Sequence, residues 1–151
     1  MLVHPEGIVV ADERSISDQL AVQRVLYDYA WACDNGDWNL LRSVFTADAR
    51  LDYSSTGGPA GDREEVVGWL EQSLSQVPMI QHVVSNFQID VTGDRADGRA
   101  MFLATARIPG LDEMLFTGGY YDLAFRRESD GWRIERLVED NRWMRPGPPE
   151  Q

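Results

Sequence analysis

Apolar residues recur at three- and four-residue steps from Val22 through Val25, Leu26 and Tyr29 to Cys33, the spacing of one helix face. Ser15 or Ser17 offers an N-cap for this run, and Asn35-Gly36 offers a stop, because glycine tolerates the left-handed conformation that ends helices. Asp37 is placed to cap a second helix, with Trp38, Leu41, Val44 and Phe45 inward. Residues 50–53 read as a short strand and residues 54–61 as a loop. Asp62-Arg63-Glu64-Glu65 is a capping box opening a third helix, which carries Val66, Val67, Leu70, Leu74 and Val77 and stops at Pro78. There the pattern changes. Residues 80–91, 99–108, 115–126 and 132–143 are rich in β-branched and aromatic side chains and read as strands. Hairpin turns are expected at 93–98 and 128–131, and Pro109-Gly110 opens the remaining loop.

The predicted order is α-α-β-α-β-β-β-β, an α+β class. Three N-terminal helices pack on a curved, mostly antiparallel sheet, forming a cone with an internal pocket suited to a small ligand. Residues 1–14 are expected to be an arm, 15–144 one domain, and 145–151 a Pro/Gly-rich tail.

Charge narrows the chemistry. The 151 residues include 25 Asp+Glu against 14 Lys+Arg, giving −11, and every one of those cations is an arginine. Without lysine there is no Schiff-base aldolase chemistry, pyridoxal-phosphate anchor or P-loop lysine. One cysteine makes neither an internal disulfide nor a thiolate zinc site, and gives no reason to expect export. The net charge argues against binding nucleic acid or an anionic membrane. The apolar stretches are too short and broken to span a bilayer. The first residues lack the basic-then-apolar pattern of a signal peptide. The expectation is a cytoplasmic protein with a small, apolar or neutral organic partner and no cofactor.

Histidine is the side chain that titrates naturally near neutrality. Only His4, in the arm, and His82, on the first long strand, are present. Asp34, at the end of the first helix, shares a broad face with Leu26, Tyr29, Ala30 and Cys33 and can lean over the pocket. A carboxylate accepting from one imidazole nitrogen leaves the other free to take a proton, and stabilises the imidazolium that follows. A buried phenol such as Tyr53 can donate to a substrate carbonyl as charge builds on it. On chemistry alone, a lone strand histidine is more often structural, Asp34 is equally a turn residue, and Tyr53 an ordinary cross-strand aromatic. Asp28 with Asp34 lacks the companions of a metal site, so no metal is expected. Gly118-Gly119 lies inside a strand and marks a bulge or close approach. Cys33 reads as a small core residue.

Four stretches carry a resemblance: 29–38 (YAWACDNGDW), 50–54 (RLDYS), 80–83 (IQHV), and a set comprising 118–121 (GGYY), 130–132 (DGW) and 140–143 (DNRW). Residues 19–143 resemble the SnoaL-like branch of the nuclear-transport-factor-2-like superfamily, near scytalone dehydratase and hexachlorocyclohexane dehydrochlorinase. That resemblance implies a cystatin-like α+β barrel in which His82 takes a proton from carbon, Asp34 orients it, and Tyr53 polarises a carbonyl. The chain departs from the family in places. The dehydratase's second pocket histidine falls in 118–121, leaving Tyr121 as donor, and its second tyrosine becomes Cys33. Its asparagine falls on Asp140 or Asn141. Arg127 is the nearest counterpart of the dehydrochlorinase arginine. Tyr29, Trp69, Phe116 and Trp143 complete the expected substrate-binding set.

The implied activity is a cofactor-independent elimination, of the dehydratase or dehydrohalogenase type, or an isomerisation of a small, largely apolar carbonyl or polyketide-like substrate. The alternatives are a non-catalytic lipophile-binding or interaction module, and an aldol-type polyketide cyclase using Asp34 or Asp140. A homodimer or homotrimer is expected, since both sheet faces carry aromatic and aliphatic residues.

Overall fold

The computed structural model describes residues 13–146 and the backbone of 2–3 and 9–10. Strands β1 (Leu2–Val3) and β2 (Val9–Val10) pair with each other. Helix α1 (Glu13–Asn35) buries Val22, Leu26, Tyr29, Ala30 and Cys33, the expected stripe, and starts at Glu13, ahead of the expected serine caps. Gly36 follows at φ +65° and lets the chain turn at once into α2 (Trp38–Ser43). Asp37 caps α2, accepting from the Leu40 N–H at 3.0 Å. Asp62 does the same for α3 (Arg63–Leu74), accepting from Glu65 N–H at 3.0 Å.

Two strand assignments are corrected. Val44 and Phe45 continue the apolar spacing of α2, yet α2 stops at Ser43 and β3 covers Phe45–Asp52. A two-turn apolar spacing satisfies either geometry, and pairing with the sheet decides it. The loop at 54–61 contains a single 3₁₀ turn (Ser54–Thr56) and a short strand β4 (Ala60–Asp62) that doubles back on β3.

The long strands are β5 (Met79–Thr92), β6 (Arg95–Arg107), β7 (Met114–Glu128) and β8 (Gly131–Pro146). They join β3 and β4 in a six-stranded sheet of order β4-β3-β8-β7-β6-β5. Only the β3–β8 pairing is parallel. The β5–β6 hairpin closes on Thr92↔Arg95, a tighter turn than expected. The inward positions of β6 include Ala96, Ala100, Phe102, Ala104 and Ala106. Four small side chains out of five leave the concave face unfilled near the open end of the sheet. That is the origin of the cavity.

Two irregularities steer the site. β5 shifts register between Ser85 and Gln88, at Asn86 with φ +51°. β7 and β8 shift between Gly118 and Gly119, the bulge anticipated there. A Cβ on Gly119 would stand 2.1 Å from the Asp140 carbonyl oxygen, so only glycine fits opposite this bulge.

Candidate active site

The cavity holds about 200 Å³ between α1, α3 and the concave sheet face. Helix α1 brings Asp34 against β5. The His82 backbone N–H donates to Asp34 Oδ2 at 3.0 Å, and ring Nδ1 lies 2.5 Å from Asp34 Oδ1. One carboxylate thus grips the histidine at two points, fixing its position along the strand and the rotation of its ring. With Nδ1–H donating to Asp34, Nε2 keeps the lone pair. The His82 side chain is 9% exposed and lines the cavity; Asp34 stands behind it.

A phenol cluster forms the floor. Tyr29 and Tyr53 share a short hydroxyl–hydroxyl hydrogen bond. Tyr121 packs edge-on to Tyr29, ring centroids 5.5 Å apart, and stacks on Phe102 at 4.6 Å. Its buried hydroxyl makes no hydrogen bond of ordinary geometry, though Tyr29 lies near enough to act on it. Burial holds all three phenols well above the usual tyrosine pKa, so they serve as donors and not as phenolates. Burial likewise pushes the Cys33 thiol up to about 12, which removes it as a nucleophile.

Strand β8 supplies Glu139, which sequence reasoning passed over. Its Oε1 accepts from Thr56 Oγ1 at 2.8 Å. Burial raises its pKa above the usual carboxylate value, while the Thr56 hydrogen bond and the His82 charge act in the opposite direction. Asn141, two residues on, lines the same cavity. Beyond it the bulge inserts one residue, so Met144 lines the cavity and Trp143 turns outward, 42% exposed. The 3₁₀ turn is pinned to this strand: Ser55 Oγ donates to the Glu139 carbonyl at 2.7 Å and accepts from Asn141 N–H at 3.1 Å.

Residues 14–138 match the family model described as a SnoaL-like domain. The chain belongs to the SnoaL-like domain family, within the nuclear-transport-factor-2-like superfamily. An uncharacterized protein of Mycobacterium tuberculosis (strain H37Rv) is 40% identical over 125 residues, covering 82% of this chain and 85% of that protein. A candidate scytalone dehydratase from Novosphingobium aromaticivorans superposes with TM-score 0.79 at 19% identity, covering 89% of this chain and 91% of the other. A hexachlorocyclohexane dehydrochlorinase from Novosphingobium barchaimii gives 0.79 at 16% identity, covering 90% and 94%. At such identities the two structures establish a shared fold.

Within this SnoaL-like domain the sequence-derived residues divide into two groups. Tyr29, Tyr53, Trp69, His82 and Asn141 line the cavity, and Asp34 and Tyr121 lie directly behind the lining. The other four sit elsewhere. Asp140 ion-pairs with Arg142 at 2.7 Å on the opposite strand face. Phe116 pairs with outward Thr105, and Trp143 covers Gly118 on the outer surface. Arg127 is held by Asp18 at 2.7 Å and Asp94 at 2.9 Å over the Trp132 ring, outside the cavity lining. Parity along a strand explains Asp140 and Phe116, the β7–β8 bulge turns Trp143 outward, and Arg127 lies at the end of β7 away from the cavity. The signal for Glu139 was a carboxylate two residues before Asn141, on the same strand face.

Proposed function

We propose that this SnoaL-like domain is a cofactor-independent lyase that removes a proton from carbon next to a carbonyl and expels a leaving group from the adjacent carbon. The observation that carries this reading is the two-point grip of Asp34 on His82, with the histidine on the wall of an apolar cavity. His82 Nε2 takes the proton. Asp34 holds the ring and stabilises the imidazolium. A phenol from Tyr53 or Tyr29 donates to the carbonyl oxygen, where negative charge develops as the C–H bond breaks. Trp69, Leu70 and Phe102 supply apolar contact for the rest of the substrate.

The test uses cyclohexanone and its β-substituted derivatives in D₂O, followed by NMR. The wild type is expected to exchange α-protons and to release cyclohexenone. His82→Ala should lower both by about 10²–10⁴-fold, the worth of positioned proton transfer, while quenching of tryptophan fluorescence reports that the ligand still binds. Near-native turnover in that variant sinks the reading. The apolar lining favours a second reading, a binding module, in which ligands bind but no α-proton exchanges in any variant.

We also propose that copies of the chain pair as a homodimer or homotrimer. Val83, Leu103, Gly118 and Trp143 form a cross-strand row on the outer sheet face, and Val83, Leu103 and Trp143 are 56%, 45% and 42% exposed. Light scattering that returned a monomer would remove this proposal.

A further inference from the structure

We propose that Glu139 is the acid partner of His82, and that the substrate class is β-hydroxy carbonyl compounds, which lose water and not halide. This rests on the His82 base reading above and adds the second half of the reaction. Glu139 lines the same cavity as His82, from the opposite part of the sheet, β8 against β5. Thr56 occupies one of its carboxyl oxygens, at 2.8 Å, which leaves Oε2 for a proton. Its register partner across the β7–β8 ladder is Tyr121, whose buried hydroxyl still lacks a hydrogen-bond partner. Glu139 thus stands in the cavity wall with the Tyr121 phenol directly behind it.

Leaving-group chemistry decides between water and halide. Hydroxide departs poorly unless protonated as it leaves. Halide needs no proton and gains from a nearby cation. No arginine is among the described residues lining the cavity, and Arg127 is held elsewhere by Asp18 and Asp94. Among the described residues lining the cavity there is a carboxyl acid and no arginine. Burial keeps the carboxyl protonated above its usual range, and the His82 charge acts to lower it. Imidazolium formation thus favours release of the Glu139 proton.

The step balances without a co-reactant. His82 Nε2 takes the α-proton, the C–H electron pair becomes the C=C bond, and the C–O bond breaks as its oxygen takes the Glu139 proton. Enone and water leave imidazolium and carboxylate behind. The imidazolium proton passes to Glu139, through the released water, and restores both groups.

The experiment compares wild type, Glu139→Gln and His82→Ala on three probes in D₂O: cyclohexanone, β-chlorocyclohexanone and β-hydroxycyclohexanone. Glutamine keeps an acceptor for Thr56 and loses the transferable proton. Glu139→Gln is expected to lose about 10²-fold or more in kcat on the hydroxy probe, a larger factor than on cyclohexanone exchange or chloride loss. In the wild type, the hydroxy probe should show a solvent isotope effect that the chloro probe lacks; this measurement stands even if the variant does not fold. Retained dehydration in Glu139→Gln, or equal loss on all three probes, overturns the Glu139 assignment while leaving His82 in place. Absence of cyclohexanone exchange in the wild type overturns the His82 reading and this one with it.

Discussion

The two ends of the sheet treat polar groups in opposite ways. At the far end, Arg126 meets Asp48, Glu128 and Glu135, Arg133 meets Glu128 and Asp130, and Arg95 meets Glu135. Every charge there has an opposite charge and access to water. At the cavity end the polar groups are fewer and buried. Tyr121 has a hydroxyl without a hydrogen bond, and Glu139 has a carboxyl without an ion pair among those described. A buried polar atom left unpaired costs about 1–3 kcal/mol. Exposed ion pairs contribute little because water competes for both partners. The ionic end is thus cheap and interchangeable, and the cavity end carries buried polar groups with few partners. Substitutions should divide accordingly: large effects on chemistry at one end, small and salt-sensitive effects on stability at the other.

The largest contrast is expected from Asp34→Asn. Asparagine offers one acceptor oxygen where the carboxylate offers two, so either the His82 backbone N–H or ring Nδ1 loses its partner. Without Nδ1–H fixed, the imidazole no longer presents the same tautomer to the cavity. We expect α-proton exchange to fall by about 10²–10⁴-fold and stability to fall by about 1–3 kcal/mol, the latter read by denaturant unfolding. Unchanged exchange would leave Asp34 as a helix-end residue only.

How far the sequence alone reaches differs between the same two regions. The α1 stripe, the Asp37 and Asp62 caps and the four long strands follow from local spacing and capping chemistry, and each appears close to its expected place. Helix geometry puts residue 34 on the face of Tyr29 and Cys33, able to lean over the pocket, while its pairing with His82 follows only from the family resemblance. What the sequence hides is anything that depends on a strand's phase after an irregularity. The β7–β8 bulge sends Trp143 outward and Met144 inward, and no alternation pattern announces the switch. The wide ring of β3 pairing is hidden for a related reason: Val44 and Phe45 fit a helix face until a long-range strand partner, Ile134, claims Phe45. Arg127 was misplaced because charge type says nothing about which end of β7 meets the cavity.

Glu139→Gln gives the next effect, in stability against pH. Burial raises the Glu139 pKa above its ordinary 4.5. The folded state therefore holds this proton at pH values where the unfolded chain releases it. The resulting stability is complete below about pH 4.5 and is lost as pH rises through the raised folded value. Groups acting on Glu139 from neighbouring elements (His82, Tyr121, Tyr53, Tyr29 and Cys33) are shared by both proteins, so the difference in Tm isolates this carboxyl. Glu139→Gln should gain Tm over wild type as pH rises and match it in acid. A difference that runs the other way, or none, would mean the carboxyl ionises freely.

Tyr121→Phe sharpens the comparison from the other side. The ring keeps its stacking on Phe102 and its edge contact with Tyr29, and only the unpaired hydroxyl goes. Stability should rise by about 1 kcal/mol, while affinity for β-hydroxycyclohexanone holds, because Tyr121 lies behind the cavity lining. A loss of stability would show that the hydroxyl already has a partner.

The smallest effect is expected from Arg126→Ala at the ionic end. The guanidinium is charge-paired with Asp48 at 2.7 Å and with Glu128 at 3.2 Å, and its side chain is 28% exposed. Removing it leaves Asp48, Glu128 and Glu135 in contact with water and with the remaining Arg133 and Arg95. The expected result is a slight drop in Tm at low ionic strength that disappears near about 1 M salt, where the screening length falls to about 3 Å. Turnover should not change, because nothing in this network touches the cavity lining. Loss of activity in Arg126→Ala would break the division between the two ends. It would mean that the ionic lattice sets the curvature of β7 and β8, and through it the placement of Glu139.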